Sequence, residues 1–281
     1  MNIWTKNQIE FLISYYPECG ANFVADKLNR TRDSVLWKAK QLKVRSSENY
    51  IKNRCAKAGA KAGKFKLFIE KFKKIEEPEI AYILGFIWAD GCLRNGNYSI
   101  TFSNLLSDIE EIKHVFLKTG DWQFRVNKGK YCKCYVGAYD LFDFFIKNDF
   151  IDKSGKSAEK ILTFIPASLR HFWWRGYLDG DGHIGLYGNR PRLTFTSTSQ
   201  QDWSFTKFLP ESPSIYSVPS RSHATVQSTE QILNVLDYIY KDYPSNKIGL
   251  TRKYRKYLDI RKHSTYLKNR TPVELREYQS S

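Results

Sequence analysis

Apolar residues in this chain switch between helical and strand periods, and each switch marks an element. Near the N-terminus Ile9, Leu12, Ile13 and Tyr16 recur at helical spacing in "KNQIEFLISYY", with Thr5 placed as an N-cap. Pro17 and Gly20 break that helix. "ANFVADKLN" predicts a second short helix, and "TRDSVLWKAKQLKV" a third, capped by Thr31 with Val35, Ala39 and Leu42 inward. Three short helices, the last one basic, fit a helix-turn-helix module over residues 1–45, with Arg32 and Lys38 as its DNA-contacting candidates. A small bundle with a solvated basic face is the alternative. Over residues 46–78 the apolar stripe is lost, and Lys52, Arg54, Lys57, Lys61, Lys64 and Lys66 recur without it. That segment reads as a basic linker.

From residue 79 onward the pattern runs through the same course twice. "AYILGFIWADGCLRNGNYSITFSN" occupies 81–104 and "FWWRGYLDGDGHIGLYGNRPRLTFTST" occupies 172–198. Each opens with an apolar helix containing a glycine (Gly85, Gly176) and closing on Asp-Gly (Asp90-Gly91, Asp181-Gly182). A hairpin follows, turning at Asn95-Gly96 or Gly188-Asn189. Next come a helix ("SDIEEIKHVFLKT", "SQQDWSFTKFL"), a second hairpin and a closing helix ("AYDLFDFFIKNDF", "TEQILNVLDYIYKDY"). Each half therefore reads αββαββα. The expectation is an α+β class domain duplicated about a pseudo-two-fold, with repeats at 79–166 and 167–262, a tail at 263–281 and an all-α module in front.

The first helix of each repeat carries small residues four apart, Gly85 with Ala89 and Gly176 with Gly180. That spacing leaves a flat strip on which two helix backbones can approach closely. Glycine inside a helix costs roughly 1 kcal/mol against alanine, which close contact across the pseudo-two-fold offsets. The approach brings Asp90 and Asp181 together, with Gly91 and Gly182 supplying the exit turns. Carboxylates at adjacent helix C-termini repel each other and oppose the helix dipoles. A divalent cation is their natural occupant, and Mg²⁺ prefers carboxylate, water and phosphate oxygens. Asp179, two residues earlier, reads as a local cap.

"ILGFIWADG" (83–91) and "WRGYLDGDG" (174–182) resemble the paired nine-residue motifs of the LAGLIDADG homing endonucleases. The resemblance covers roughly Glu79 to Arg261, and the doubled motif with matching hairpins makes it specific. It implies two four-stranded antiparallel sheets forming a saddle over the DNA major groove. It also implies metal-dependent hydrolysis of both strands, leaving short 3′ overhangs. Carried over by position, Asp90 and Asp181 are the metal-binding and catalytic acids, for Mg²⁺ or for Mn²⁺ or Ca²⁺ at the same pair; the backbone at Ala89 is left open as a further ligand. Two departures stand out: Trp88 replaces an Asp of the motif, and Arg175 stands where a small residue is usual, implying that it points away from the helix interface. The family also places basic residues beside the cleaved phosphates late in each repeat. The candidates are Lys156 and Lys160 in the first repeat, and Lys247 and Lys253 in the second. Plain surface charge is the competing account of each.

Charge sharpens this picture. With 45 Lys and Arg against 29 Asp and Glu in 281 residues, the formal net charge is +16. That excess calls for a polyanionic partner, nucleic acid first and an acidic membrane surface second. No stretch is apolar enough to span a bilayer, and "MNIWTKNQIEF" lacks the layout of a signal peptide. The partner expected is double-stranded DNA with a long pseudo-palindromic or asymmetric target, met by a monomer in the cytoplasm of a phage, bacterial or organellar host. Strand alternation selects the base-reading side chains. They are Arg94, Asn97, Ser99, Thr101, Gln123, Arg125, Asn127 and Lys133, then Arg192, Thr194, Thr196, His223, Thr225 and Gln227. In this reading Gln123, Arg125 and Asn127 share one face, and Tyr131, Lys133 and Tyr135 share another. The five cysteines are odd in number and scattered, which argues for buried reduced thiols; "CKC" lacks further zinc ligands nearby. The alternative function is a non-cleaving DNA-binding regulator or intron RNA maturase on the same fold. An intein is rejected, since residue 1 is no nucleophile and "REYQSS" lacks the splice-junction His-Asn.

Overall fold

The computed structural model describes residues 4–47, 49–50, 65–94, 97–188 and 190–268. The chain divides into two compact units, Met1–Lys64 and Phe65–Ser281.

In the first unit, helix α1 (Lys6–Leu28) is broken at Gly20, whose φ of 73° and ψ of 179° leave the helical region, so it acts as two helices. Thr5 and Gln8 form a reciprocal capping box at its start. Helix α2 (Arg32–Gln41) follows, with the Thr31 hydroxyl accepting from Ser34 N at 3.2 Å. Leu12, Val24, Ala25, Val35 and Ala39 form the core of this unit. Ile13, read as inward from its spacing, is 47% exposed, and Phe11 packs against the core instead. Three helical segments are therefore present, as the periodicity predicts. The lysines of the linker reading at 52–64 lie outside the described residues.

The second unit begins earlier than the linker reading allows. Leu67 is buried, and its amide donates to Gly137 O at 3.2 Å. Helix α3 (Ile69–Lys73) buries Phe72 against the first repeat. Residues 65–78 are thus folded onto the first repeat.

The first repeat comprises α4 (Pro78–Asp90), β1 (Cys92–Arg94), β2 (Asn97–Leu105), α5 (Leu106–Leu117), β3 (Gln123–Asn127), β4 (Tyr131–Gly137) and α6 (Phe142–Lys147). After a connecting helix α7 (Glu159–Phe164), the second comprises α8 (Arg170–Asp181), β5 (Gly182–Tyr187), β6 (Arg190–Thr198), β7 (Ser214–Val218), β8 (Arg221–Val226) and α9 (Thr229–Tyr240). The two antiparallel sheets have matching orders, β1-β2-β4-β3 and β5-β6-β8-β7. The hairpin-turn residues Asn95, Gly96 and Asn189 lie outside the described residues. Where the second repeat was expected to have a middle helix, only a 3₁₀ segment forms at Ser204–Phe208. A short α10 (Tyr243–Asn246) and a long α11 (Thr251–Lys268) close the described chain, so the boundary expected at residue 262 falls inside a helix.

Helices α4 and α8 pack backbone against backbone at the centre. Helix α4 is apolar almost all round, as a helix buried on every side is expected to be, whereas α8 is equally buried but carries His171, Arg175 and Asp179 among its buried residues. A Cβ on Gly85 would overlap the carbonyl oxygen of Trp173, and one on Gly176 would overlap that of Tyr82. Side chains from both sheets then close over the pair: Phe86 against Phe102 and Phe116, and Tyr177 stacked on Phe195 at 5.6 Å. Cys132 and Cys134 are buried on the inner face of β4, whereas Cys92 is exposed, against the expectation of buried thiols, and Cys55 lies outside the described residues.

This packing sets a first prediction. Gly85→Ala and Gly176→Ala each cost about 3 kcal/mol or more, because the methyl group meets backbone that cannot yield. Urea unfolding of the two variants checks this; a cost below about 1 kcal/mol would show that the helices separate freely.

Candidate active site and nucleic-acid interface

The close approach of α4 and α8 places their C-terminal residues side by side. A Cβ on Gly180 would lie 3.5 Å from Asp90 Oδ2, so the Asp90 carboxylate reaches across to the partner helix. Gly91 and Gly182 both have extended backbone, with φ of −69° and −92°, rather than a left-handed exit turn. They are glycines for want of room: a Cβ would meet Ile87 O at 2.5 Å and Leu178 O at 2.6 Å.

Each helix end is held by one lysine. Lys153 Nζ donates to the carbonyl oxygens of Ile87 (2.9 Å), Trp88 and Ala89 (3.1 Å). Lys253 Nζ donates to those of Leu178, Asp179 (2.9 Å) and Gly182 (2.9 Å). These carbonyls lie at the helix C-termini, where Ile87 O and Leu178 O also accept from Gly91 and Gly182 N–H, and a cation there complements the dipole. Burial lowers both ammonium groups from 10.5 to about 8, against the pull of the nearby aspartates.

The carboxyls are shifted the other way. Burial raises Asp90 above its ordinary value, opposed by Lys153, Lys253 and a hydrogen bond from Asn104 Nδ2 at 3.0 Å. Asp181 is pushed to about 6, by burial first and by the charge of Asp90 second. Burial disfavours the ionised form of both carboxyls, and at Asp181 the charge of Asp90 adds to it, so the pair forms a site that gains from a divalent cation. Among the described residues no group of three or more His, Cys, Asp or Glu gathers as a metal site. The donor set is thus this pair, with room for water or phosphate oxygens. A cleft of about 520 Å³ opens beside it, lined by Lys153, Asp181, Thr196 and Arg221. The pair therefore fits a hard, oxygen-seeking ion.

The remaining lysine candidates sit elsewhere. Lys156 Nζ donates to Ile151 O at 2.5 Å within its own loop, and Lys160 pairs with Asp149 at 2.8 Å. Lys247 is exposed, in a left-handed turn after α10. In the first repeat the lysine at the helix end is Lys153, which sequence spacing did not single out. Asp179 is not a local cap. Its Oδ2 accepts from Tyr82 O–H on the opposite motif helix and from Leu250 N–H, both at 2.9 Å. Arg175 does point away from the helix interface, yet it is fully buried.

Strand register sorts the sheet candidates. Gln123 lies opposite Tyr135, Arg125 opposite Lys133 and Asn127 opposite Tyr131. Directly paired residues project to the same face, so the two groups read as facing apart share one surface, together with Ser99 and Thr101. Tyr98, near the start of the internal strand β2, is 38% exposed and packs edge-on against Tyr139 and Phe142. The side chains of Arg94 and Asn97 lie outside the described residues. In the second sheet Thr196 pairs with His223, their side chains bonded at 3.1 Å, and Tyr216 stacks on the same histidine. Thr194 is buried and its hydroxyl is engaged by Thr225 at 3.1 Å. Arg192 is exposed and lies over Tyr187, and Gln227 is exposed just past β8. Among the described residues, no strand carries an Asp or Glu. In the first unit Arg32 is exposed, 3.8 Å from Asp33, and Lys38 is half-buried beside Gln41.

No family model and no curated protein matches this chain. Solved structures do resemble it. The LAGLIDADG homing endonuclease I-LtrWI, bound to target DNA, is 14% identical with a TM-score of 0.49, covering 71% of this chain and 95% of that one. I-SmaMI, bound to an uncleaved DNA target in the presence of calcium ions, is 13% identical with a TM-score of 0.47, covering 73% and 97%. The LAGLIDADG meganuclease I-AabMI, bound to uncleaved DNA, is 11% identical with a TM-score of 0.48, covering 68% and 91%. Among the described residues no helix is long and apolar enough to cross a membrane.

The shifted carboxyl gives a second prediction. A carboxyl whose pKa is higher folded than unfolded binds its proton more tightly in the folded state. For Asp181 that stability is complete below its ordinary value of 3.8 and is lost as pH rises through about 6. In chelator-treated protein, Asp181→Asn is therefore more stable than wild type near pH 7, by up to about 2 kcal/mol, and the gain closes near pH 4. Paired thermal melts check this, and a less stable Asn variant near pH 7 contradicts it.

Proposed function

We propose that this chain is a site-specific, divalent-metal-dependent DNA endonuclease of the LAGLIDADG kind, cutting both strands and leaving short 3′ overhangs. The observation that carries the reading is the pair of half-buried carboxyls at touching helix ends, each helix end held by a lysine. The doubled sequence motif around those same aspartates supports it independently.

In this reading Asp90 and Asp181 hold the metal, Mg²⁺ being the ion the donor set suits best, with Mn²⁺ or Ca²⁺ able to take the same pair. A divalent ion bound there supplies Lewis-acid stabilisation of phosphate oxygens and acidifies a coordinated water. The chain's own residues do the positioning. Asn104 orients the Asp90 carboxylate. Lys153 and Lys253 fix the two helix ends and bring positive charge to the phosphates. Of the lysines read from sequence, Lys253 rather than Lys247 takes the role in the second repeat, and Lys153 takes the first-repeat role assigned to Lys156 or Lys160.

The two sheets supply the binding face. Acid-free strands present Gln123, Arg125, Lys133, Arg192, Thr196 and His223, with Gln227 just past β8, without repelling a phosphodiester backbone. The first unit acts as a helix-turn-helix module, with Arg32 and Lys38 adding phosphate contacts. The protein works as a monomer, since one chain carries both halves of the site. Its expected setting is the cytoplasm of a phage, bacterial or organellar host.

Incubation of a randomised duplex library with Mg²⁺ tests the reading. Discrete double-strand breaks are expected, abolished in Asp90→Asn and Asp181→Asn. Lys153→Ala and Lys253→Ala are expected to slow cutting about 100-fold or more, and Lys156→Ala to leave it near wild type. Selective binding with no cutting under any divalent ion would overturn the enzyme reading in favour of a DNA-binding regulator.

A further inference from the structure

The two halves of the site hold their lysines by different means. The motifs align Leu84 with Arg175 and Trp88 with Asp179. In the first half both positions are apolar and buried, and Trp88 packs edge-on to Phe150 at 5.0 Å. Lys153 follows on a loop whose course is set by left-handed residues at Asp149, Asp152 and Gly155. In the second half both positions are charged and buried, and both engage the segment that launches α11.

Arg175 makes four hydrogen bonds there. Its Nε and Nη2 donate to Ile239 O at 2.9 and 2.7 Å, at the end of α9. Its Nη1 donates to Asn246 Oδ1 at 3.1 Å and to Ile248 O at 3.0 Å. Asn246 Oδ1 also accepts from Ile248 N–H at 3.0 Å, which closes the turn. Gly249, at φ 125°, lies against both charged groups: a Cβ there would stand 3.0 Å from Arg175 Cδ and 3.0 Å from Asp179 Oδ2. Asp179 then takes Leu250 N–H, and Lys253 comes three residues later. From the other side, Asp108 of the first repeat holds Arg252 through two bonds at 2.9 and 2.7 Å, and Glu111 accepts from Thr251 N–H at 2.8 Å.

We infer that Arg175 is a positioning residue for Lys253, clamping residues 246–250 so that one half of the site depends on a buried guanidinium that the other half lacks. The inference rests on the proposed nuclease reading for its consequence, that loss of the clamp slows cutting of one DNA strand and spares the other. A guanidinium is suited to the task, since its planar fork satisfies several carbonyls at fixed angles. A lysine displaced by about 1 Å loses on the order of 100-fold in rate.

The test uses Arg175→Met in the full chain, with Asn246→Ala as a milder second variant that removes one acceptor if the first does not fold. Reductive methylation of surface amines, read by peptide mass spectrometry without DNA or metal, reports the clamp directly. Lys253 is expected to gain reactivity severalfold in the variant while Lys153 stays as in wild type. On a target labelled on each strand in turn, the variant is expected to cut one strand about 100-fold more slowly and to accumulate nicked product. The duplex KM stays unchanged, and Lys253→Ala shows the same strand bias. Equal labelling of both lysines, unchanged protection of Lys253, or equal slowing of both strands would overturn the inference. If wild type cuts neither strand, the nuclease reading falls, and the labelling still decides whether Arg175 positions Lys253.

Discussion

The backbone contact between the two motif helices is the constraint on which the second unit depends. Gly85 meets the carbonyl of Trp173 and Gly176 meets that of Tyr82, so neither helix can rotate or slide without a clash. That contact fixes the distance between the two sheets, because each sheet packs on the outer side of one helix. It also fixes the two helix ends against each other, and so the separation of Asp90 and Asp181. A site made of one residue from each half needs this rigidity more than it needs any single hydrogen bond.

The same contact creates an electrostatic problem at its own end. Two negative helix termini and two carboxylates converge where burial already disfavours charge. Lys153 and Lys253 offset part of this by donating to the carbonyls at the helix ends, at the cost of their own desolvation. Both lysines donate to main chain, and no ion pair of either with Asp90 or Asp181 forms among the described residues. The carboxylates are thereby left available to a further cation, while their helices are held in place.

The fold was legible where a period or a repeat carried it. The doubled Asp-Gly helices, the small residues four apart and the alternating strands all pointed to the αββαββα order, which the first half shows in full and the second with a 3₁₀ segment at Ser204–Phe208 in place of its middle helix. Asp90 and Asp181 were legible because chemistry and packing single out the same positions. Lys153 was not, because its place is set by three left-handed loop residues, which leave no periodic trace. Helix α11 was missed because lysine and arginine fill most of its surface. Its buried stripe of Tyr257, Ile260 and Ser264 is narrow and partly polar. Asp179 was misread as a local cap, since nothing in the spacing of one motif shows that Tyr82 of the other motif helix will donate to it.

A duplicated chain is free to diverge wherever the two halves do not touch each other. The glycines cannot change, since each meets the backbone of its counterpart helix, and the aspartates stand where the two helix ends meet. Within one or two residues of these positions, that freedom returns. Leu84 keeps the first half's outer face apolar where Arg175 makes the second half's charged, and Asp179, in the place of Trp88, reaches both Tyr82 of the other helix and Leu250 of its own half. A buried charge pays its desolvation only if its surroundings are fully committed to it. Arg175 meets that condition with four hydrogen bonds and the rings of Phe172, Tyr240 and Tyr243 around it. The second half thus has a helix, α11, to carry its lysine, where the first has only a loop. Symmetry is kept at the atoms that face the centre and abandoned in the frame that holds them.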